Sequence, residues 1–163
     1  MVTRALPYRP HNHQACVNQA LDDARHICQQ HNARLTPTRQ RVLELIWQSH
    51  RPLGAYDVLA QLAAEGQNAA PPTVYRALDF LQQHGLVHRI ASLNAFVGCA
   101  HPGKPHTGMF LICHQCGNVL ELSAPAVSEA VRAAADRESF RTDEVTLEIS
   151  GVCPRCQAEP ADD

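Results

Sequence analysis

Two Cys-x-x-Cys pairs, Cys113/Cys116 and Cys153/Cys156, most constrain what this chain can fold into. Each puts two sulfurs on one tight turn. Zinc takes four tetrahedral ligands, and thiolates are among its best. Two such turns brought together complete a closed structural site, so these distant segments must become neighbours. Gly117 frees the backbone just behind the first turn. Two other uses of such pairs stay open. One is a thiol–disulfide active site, although no βαβ pattern surrounds either pair. The other is a set of unmetallated reactive thiols. A zinc held by four cysteines leaves no position for catalysis.

Cysteines also stand at 16, 28 and 99. The first ten residues lack the apolar segment of an export signal, so the expectation is a cytoplasmic protein with reduced thiols. Cys16 and Cys28 are then expected to be inert core residues. No apolar run approaches the roughly 18 residues that would suggest a membrane span.

The net charge of −2 looks wrong for a nucleic-acid binder, but its distribution is uneven. Residues 1–89 carry nine arginines against six acidic residues, while residues 90–163 carry five basic and ten acidic residues, including the single lysine, Lys104. An arginine-only basic half beside an acidic half is a modest hint of an anionic partner.

Patterning divides the chain. The first dozen residues, with Pro7, Pro10, His11 and His13, read as a flexible arm. Apolar positions Cys16, Val17, Ala20, Leu21, Ala24, Ile27 and Cys28 recur at helical spacing between about Gln14 and His31. Thr36 and Pro37 form a helix start, a capping hydroxyl before a proline at the first helical position. A third helix is expected from Ala55 to Glu65. Pro71-Pro72 closes a loop before a fourth helix, Thr73 to Gln83, ended by Gly85. Leu86–Ile90 and Ala95–Cys99 flank Ser92-Leu93-Asn94 and read as a hairpin. Helices followed by a two-stranded wing make a winged helix-turn-helix. Beyond the loop Ala100 to Thr107, strands are expected at Met109–Cys113, Val119–Leu122 and Glu144–Ile149, with a helix at Ser128–Glu138. The expected fold is α+β: a DNA-binding domain (residues 1–99, with the arm), a hinge (100–107), and a small α/β dimerisation domain (108–163) stapled by the four-cysteine site.

Four further residues could converge on a metal: His88, Cys99, His106 and Glu121. With the hairpin turn centred between Ser92 and Leu93, residue 90 pairs with 95 and 88 with 97. His88 and Cys99 then share a sheet face as diagonal neighbours, about 7–8 Å apart at Cβ. His106 follows in the hinge, and Glu121 lies between Leu120 and Leu122. Taken singly, each has an ordinary use: a solvated histidine, a small buried thiol, a carboxylate facing water. His101 competes with His106 as a ligand.

These residues together resemble the ferric uptake regulator family over about Cys28 to Cys156. Arg34-Leu35-Thr36-Pro37-Thr38-Arg39 looks like the family's second-helix start, and Pro72-Thr73-Val74-Tyr75-Arg76-Ala77-Leu78 like its recognition helix. The paired Cys-x-x-Cys motifs look like its structural zinc site. Within the family the zinc uptake regulator branch is most similar, and the resemblance puts His88, Cys99, His106 and Glu121 on that branch's regulatory zinc ligands. It implies a zinc-responsive repressor of zinc-uptake genes. Such a protein would bind double-stranded operator DNA as a homodimer, with two zinc ions per chain and no membrane or small-molecule substrate. The alternative within the family is a regulator responding to iron, manganese, nickel or peroxide. A thiolate among nitrogen and oxygen donors suits zinc better than iron or manganese. The His-rich run that many relatives carry before the dimerisation domain is reduced here to His101-Pro102-Gly103-Lys104-Pro105-His106, so the third metal site of some relatives is not expected there.

On the expected recognition helix, Thr73, Tyr75 and Arg76 are candidate DNA contacts. Thr73 would meet phosphate at the helix N-terminus, and Tyr75 and Arg76 base edges or phosphate. The bland alternatives are a partly buried wing contact for Tyr75 and a solvated face for Arg76. Two other classes compete. A zinc hydrolase would need an open metal position, and no HExxH is present. A zinc-ribbon interaction module would leave the winged helix unused.

Overall fold

Asn12 starts the first helix of the computed structural model, which describes Pro7, Tyr8 and residues 10–159. Its side-chain oxygen accepts the N–H groups of Gln14 and Ala15, two donors with no partner inside α1 (His13–Gln30). Val17, Ala20, Leu21, Ala24, Ile27 and Cys28 line the buried stripe of α1. Thr36 caps α2 (Pro37–Trp47) as expected, its hydroxyl accepting from the Arg39 N–H at 3.3 Å. In α3 (Ala55–Ala64), the Asp57 carboxylate reaches back to the Gly54 N–H at 3.1 Å.

The fourth helix, α4 (Pro71–Gln83), begins two residues before the expected Thr73. Pro71 and Pro72 form its first turn, where the missing N–H groups would have had no helical acceptor and the fixed φ already suits a helix. At the other end Gly85 takes φ +66°, and Leu86 N–H closes on the Leu81 carbonyl at 2.8 Å.

Released there, the chain forms β1 (Val87–Ile90) and β2 (Ala95–Gly98), antiparallel, with Ile90 opposite Ala95 and His88 opposite Val97. This is the expected register. The turn is one short 3₁₀ segment, Ala91–Leu93, with Asn94 in the left-handed region. Leu53 exchanges both backbone hydrogen bonds with Phe96, each 2.9 Å, and ties the wing to the loop after α2. β2 also lies directly on Trp47. A Cβ at Gly98 would fall 2.1 Å from the indole, so only glycine permits this approach.

Beyond the loop that follows the wing, β3 (Gly108–Cys113), β4 (Val119–Glu121) and β5 (Thr146–Gly151) form a sheet in the order β4-β3-β5. β3 runs antiparallel to β4 and parallel to β5. The crossover carries α5 (Pro125–Arg137), which starts at Pro125 rather than Ser128 for the same proline reason as α4. A last short helix, α6 (Pro154–Ala158), follows β5.

One apolar core fills the helical half around Val42, Val58, Leu62, Leu78 and Leu81. A second joins Ile90 and Val97 of the wing to Phe110, Ile112 and Val119 of the sheet. Wing and sheet therefore share buried surface. The expected flexible arm lies partly outside the described residues. Its described part is docked, with the Tyr8 hydroxyl donating to the Leu111 carbonyl at 2.9 Å.

Candidate metal centres and nucleic-acid face

The parallel pairing of β3 and β5 sets Cys113 opposite Gly151, which brings the two Cys-x-x-Cys turns to one end of the sheet. Gly117, at φ +76°, donates to the Cys113 carbonyl at 2.8 Å and closes the first turn. Cys153 opens α6, and its N–H points at Cys113 Sγ from 3.3 Å. All four sulfurs lie within 4.8 Å of one another, with Cys116 and Cys153 Sγ 3.8 Å apart. Zinc–sulfur bonds of about 2.3 Å in a tetrahedron would set sulfurs roughly 3.8 Å apart, so this spacing suits a zinc ion. Burial opposes ionisation of Cys113, but N–H donors from Cys116, Cys153 and Gln115 pull it down to about 6. Cys156 is pushed up to about 12, by burial and then by the sulfurs around it. A site that favours one thiolate and resists the next is short of positive charge, which a divalent cation supplies.

The mixed group is assembled from four segments. β1 presents His88, the end of the wing presents Cys99, the loop before β3 presents His106, and β4 presents Glu121. One donor atom from each falls within 4.8 Å of the others. Glu121 Oε1 is 3.0 Å from His88 Nε2 and 2.7 Å from His106 Nε2, and Cys99 Sγ is 3.5 Å from the latter. The remaining polar atoms are occupied in ways that aim the donors. His106 Nδ1 meets the Lys104 carbonyl at 2.6 Å, and the Ala100 N–H donates to Glu121 Oε2 at 2.6 Å. Such outer contacts fix the ring nitrogen and the carboxylate oxygen left to bind an ion. Burial pushes the Glu121 carboxyl up, but His88, the Ala100 N–H and His106 together hold it below the usual carboxylate range. Two imidazoles, a thiolate and a carboxylate make a tetrahedral set suited to zinc. His101 meets the His106 ring edge-on, with centroids 5.8 Å apart, but contributes no donor atom to the group.

α4 turns Val74, Ala77, Leu78 and Leu81 inward. Thr73 is half-buried, and Tyr75 and Arg76 are exposed, so Tyr75 is not buried against the wing. Arg41 is committed to Glu65 and Glu44, whereas Arg76 takes part in no ion pair among the described residues. Sequence reasoning missed Glu148 of β5. Its carboxylate accepts the Ala91 N–H at 2.7 Å and the Ser92 N–H at 3.2 Å, clasping the wing turn to the sheet. No periodicity rule pairs a strand glutamate with a turn so far upstream.

Comparison with known proteins extends this geometry. Residues 30–150 match the Ferric uptake regulator family. The chain is 40% identical over 139 residues to the zinc uptake regulation protein of Escherichia coli (strain K12), covering 85% of this chain and 81% of that protein. A solved zinc uptake regulator complexed with zinc and DNA superposes with a TM-score of 0.83 at 38% identity, covering 89% of this chain and 98% of that one. The holo form of the protein XcZur matches with a TM-score of 0.79 at 40% identity, over 86% of this chain and 99% of that one. Its apo form reaches only 0.52 at 39% identity, over 88% and 99%. At nearly equal identity, the arrangement of the parts here is closer to the holo form.

Proposed function

The chain belongs to the ferric uptake regulator family, on its zinc uptake regulator branch, and from that premise we propose that it is a zinc-responsive transcriptional repressor. It binds operator DNA as a zinc-loaded homodimer and represses zinc-uptake genes in the cytoplasm. Residues 1–99 read DNA, 100–107 form the hinge, and 108–163 dimerise. The observation that carries this reading is the convergence of His88, Cys99, His106 and Glu121 from wing, hinge and sheet. A ligand set spread over separate segments of the chain rewards only the arrangement that gathers them.

Each chain holds two zinc ions in this reading. Cys113, Cys116, Cys153 and Cys156 keep one permanently, as a fastening for the sheet. His88, Cys99, His106 and Glu121 hold the second, which supplies bonds available only in the juxtaposed state. Cys99 and the hinge draw the wing toward β4. Glu121 answers from the sheet, and the Ala100 N–H keeps its carboxylate turned inward. The helices are thereby held at the spacing of successive major grooves. Four protein ligands leave no open position, so the protein is a regulator and not a zinc hydrolase. Thr73, Tyr75 and Arg76 on the exposed side of α4 contact the DNA.

Homodimerisation has its own support. β5 is an edge strand of its sheet, and Val127, Phe140 and Ile149 are large apolar side chains left exposed in the second half. An unpaired edge beside exposed apolar groups is a surface a second copy can cover. The test is operator binding by the purified protein under reducing conditions, titrated with zinc, iron(II), manganese and nickel. Zinc should tighten binding about 5–150-fold, the usual span of a single coupling. Equal or greater tightening by iron(II) or manganese overturns the reading.

A further inference from the structure

His11 and His13 come from the arm and the first residue of α1, and His50 from the loop after α2. Their rings gather with centroids 4.4, 4.7 and 4.9 Å apart. His11 Nε2 and His50 Nε2 stand 2.7 Å apart, and one nitrogen from each ring lies within 4.8 Å of the others. None of these residues belongs to either metal centre described above.

We propose that His11, His13 and His50 form a third metal site, an imidazole-rich one that takes zinc. Three histidine nitrogens are a known zinc donor set, leaving one position for water. Imidazole is the common ligand class for zinc, and no thiolate is needed. Neutral rings are the ligating form.

The position gives the site a consequence. His50 is already bound to the sheet, because its carbonyl accepts the Val119 N–H of β4 at 3.0 Å. His11 and His50 line a cavity of about 540 Å³ between α1 and β4, and Glu121 lines the same cavity. A cation on the three rings ties the start of α1 to the loop that touches the sheet. It therefore reinforces the same closed arrangement as the mixed centre, through another part of the lining of one cavity. With an open position and only three ligands, it fills at higher zinc than the other two.

The experiment is equilibrium dialysis of the full chain against buffered, saturating zinc, with metal per chain read by elemental analysis. His50→Gln and the double variant His11→Gln/His13→Gln should each bind one zinc less than the wild type. His26→Gln, on the exposed face of α1, should bind as many as the wild type. Cys99→Ser should also lose one, and adding His50→Gln to it should remove another, which keeps this site distinct from the mixed one. Cobalt(II) gives a second readout. The increment lost in His50→Gln should carry visible d–d absorption without the near-ultraviolet thiolate band. If His50→Gln misfolds by circular dichroism, the double variant decides, since His13 is exposed and His11 only half-buried. Equal metal content in the wild type and the double variant overturns the proposal, as does a lost increment carrying a thiolate band.

Discussion

Glu121 Oε1 stands 3.0 Å from His88 Nε2 although they lie 33 positions apart in sequence, so a strand of the sheet and a strand of the wing meet at one atom pair. Removing a donor beside that pair should uncouple sensing from folding. Cys99→Ser and His88→Ala are expected to remain folded and to keep the four-cysteine zinc, yet to lose the tightening on operator at zinc levels that fill the mixed centre of the wild type. His106→Ala should behave the same way, because His101 contributes no donor to the group. Zinc content measured beside operator affinity checks both halves. Full zinc-dependent tightening in Cys99→Ser would place the sensor elsewhere.

The four-cysteine centre should behave oppositely. Structural zinc contributes about 10–16 kcal/mol in small domains, more than the net stability of most. Cys113→Ser or Cys153→Ser is therefore expected to give misfolded or monomeric protein. Size-exclusion chromatography with elemental analysis reads the outcome. A zinc-free dimer that still bound operator would contradict it.

How much of this was legible beforehand depends on the kind of signal. The wing register followed from turn position and side-chain alternation, both local. The four-cysteine centre followed from ligand chemistry, which demands that the two pairs meet. The sequence places the start of α4 at Thr73 because Pro71-Pro72 reads as the close of a loop, whereas a first turn has no use for their missing N–H groups, and Pro125 extends α5 ahead of Ser128 in the same way. Glu148 on the wing turn and the three-histidine group were invisible for a different reason. They join segments related only by tertiary packing, and nothing in local spacing encodes such a contact.

Arg76 projects from the outer face of α4. If it forks onto a guanine edge, Arg76→Ala should cost about 1–3 kcal/mol per half-site and relax sequence preference there, with dimerisation and zinc content unchanged. Binding to operator and to scrambled duplex, measured in parallel, separates a base contact from a phosphate contact. Equal losses on both would assign Arg76 to phosphate.

The clasp at Glu148 predicts a pH signature. Hydrogen bonding from Ser92 first, then the Ala91 N–H and the charge of Arg89, outweigh burial and hold the Glu148 carboxyl below the usual carboxylate range. A carboxyl lowered by folding adds stability that is fully present above its unfolded value, about 4.3 for glutamate, and is lost as pH falls through the folded value. Glu148→Gln should therefore be less stable than the wild type at neutral pH, and the gap should close in acid. Urea unfolding of both proteins at pH 7 and pH 3.5 measures it. A gap that persisted undiminished at the lower pH would show that the carboxylate charge is not what holds the turn.

The approach of Gly98 to Trp47 has an optical consequence. The chain contains a single tryptophan, so all of its indole emission arises from one point. That point lies beneath the strand whose next residue is Cys99. Any shift of the strand as the metal enters or leaves changes the surroundings of the one fluorophore. The protein thus carries its own label-free gauge of occupancy, readable in a cuvette during the same titration that follows its grip on DNA.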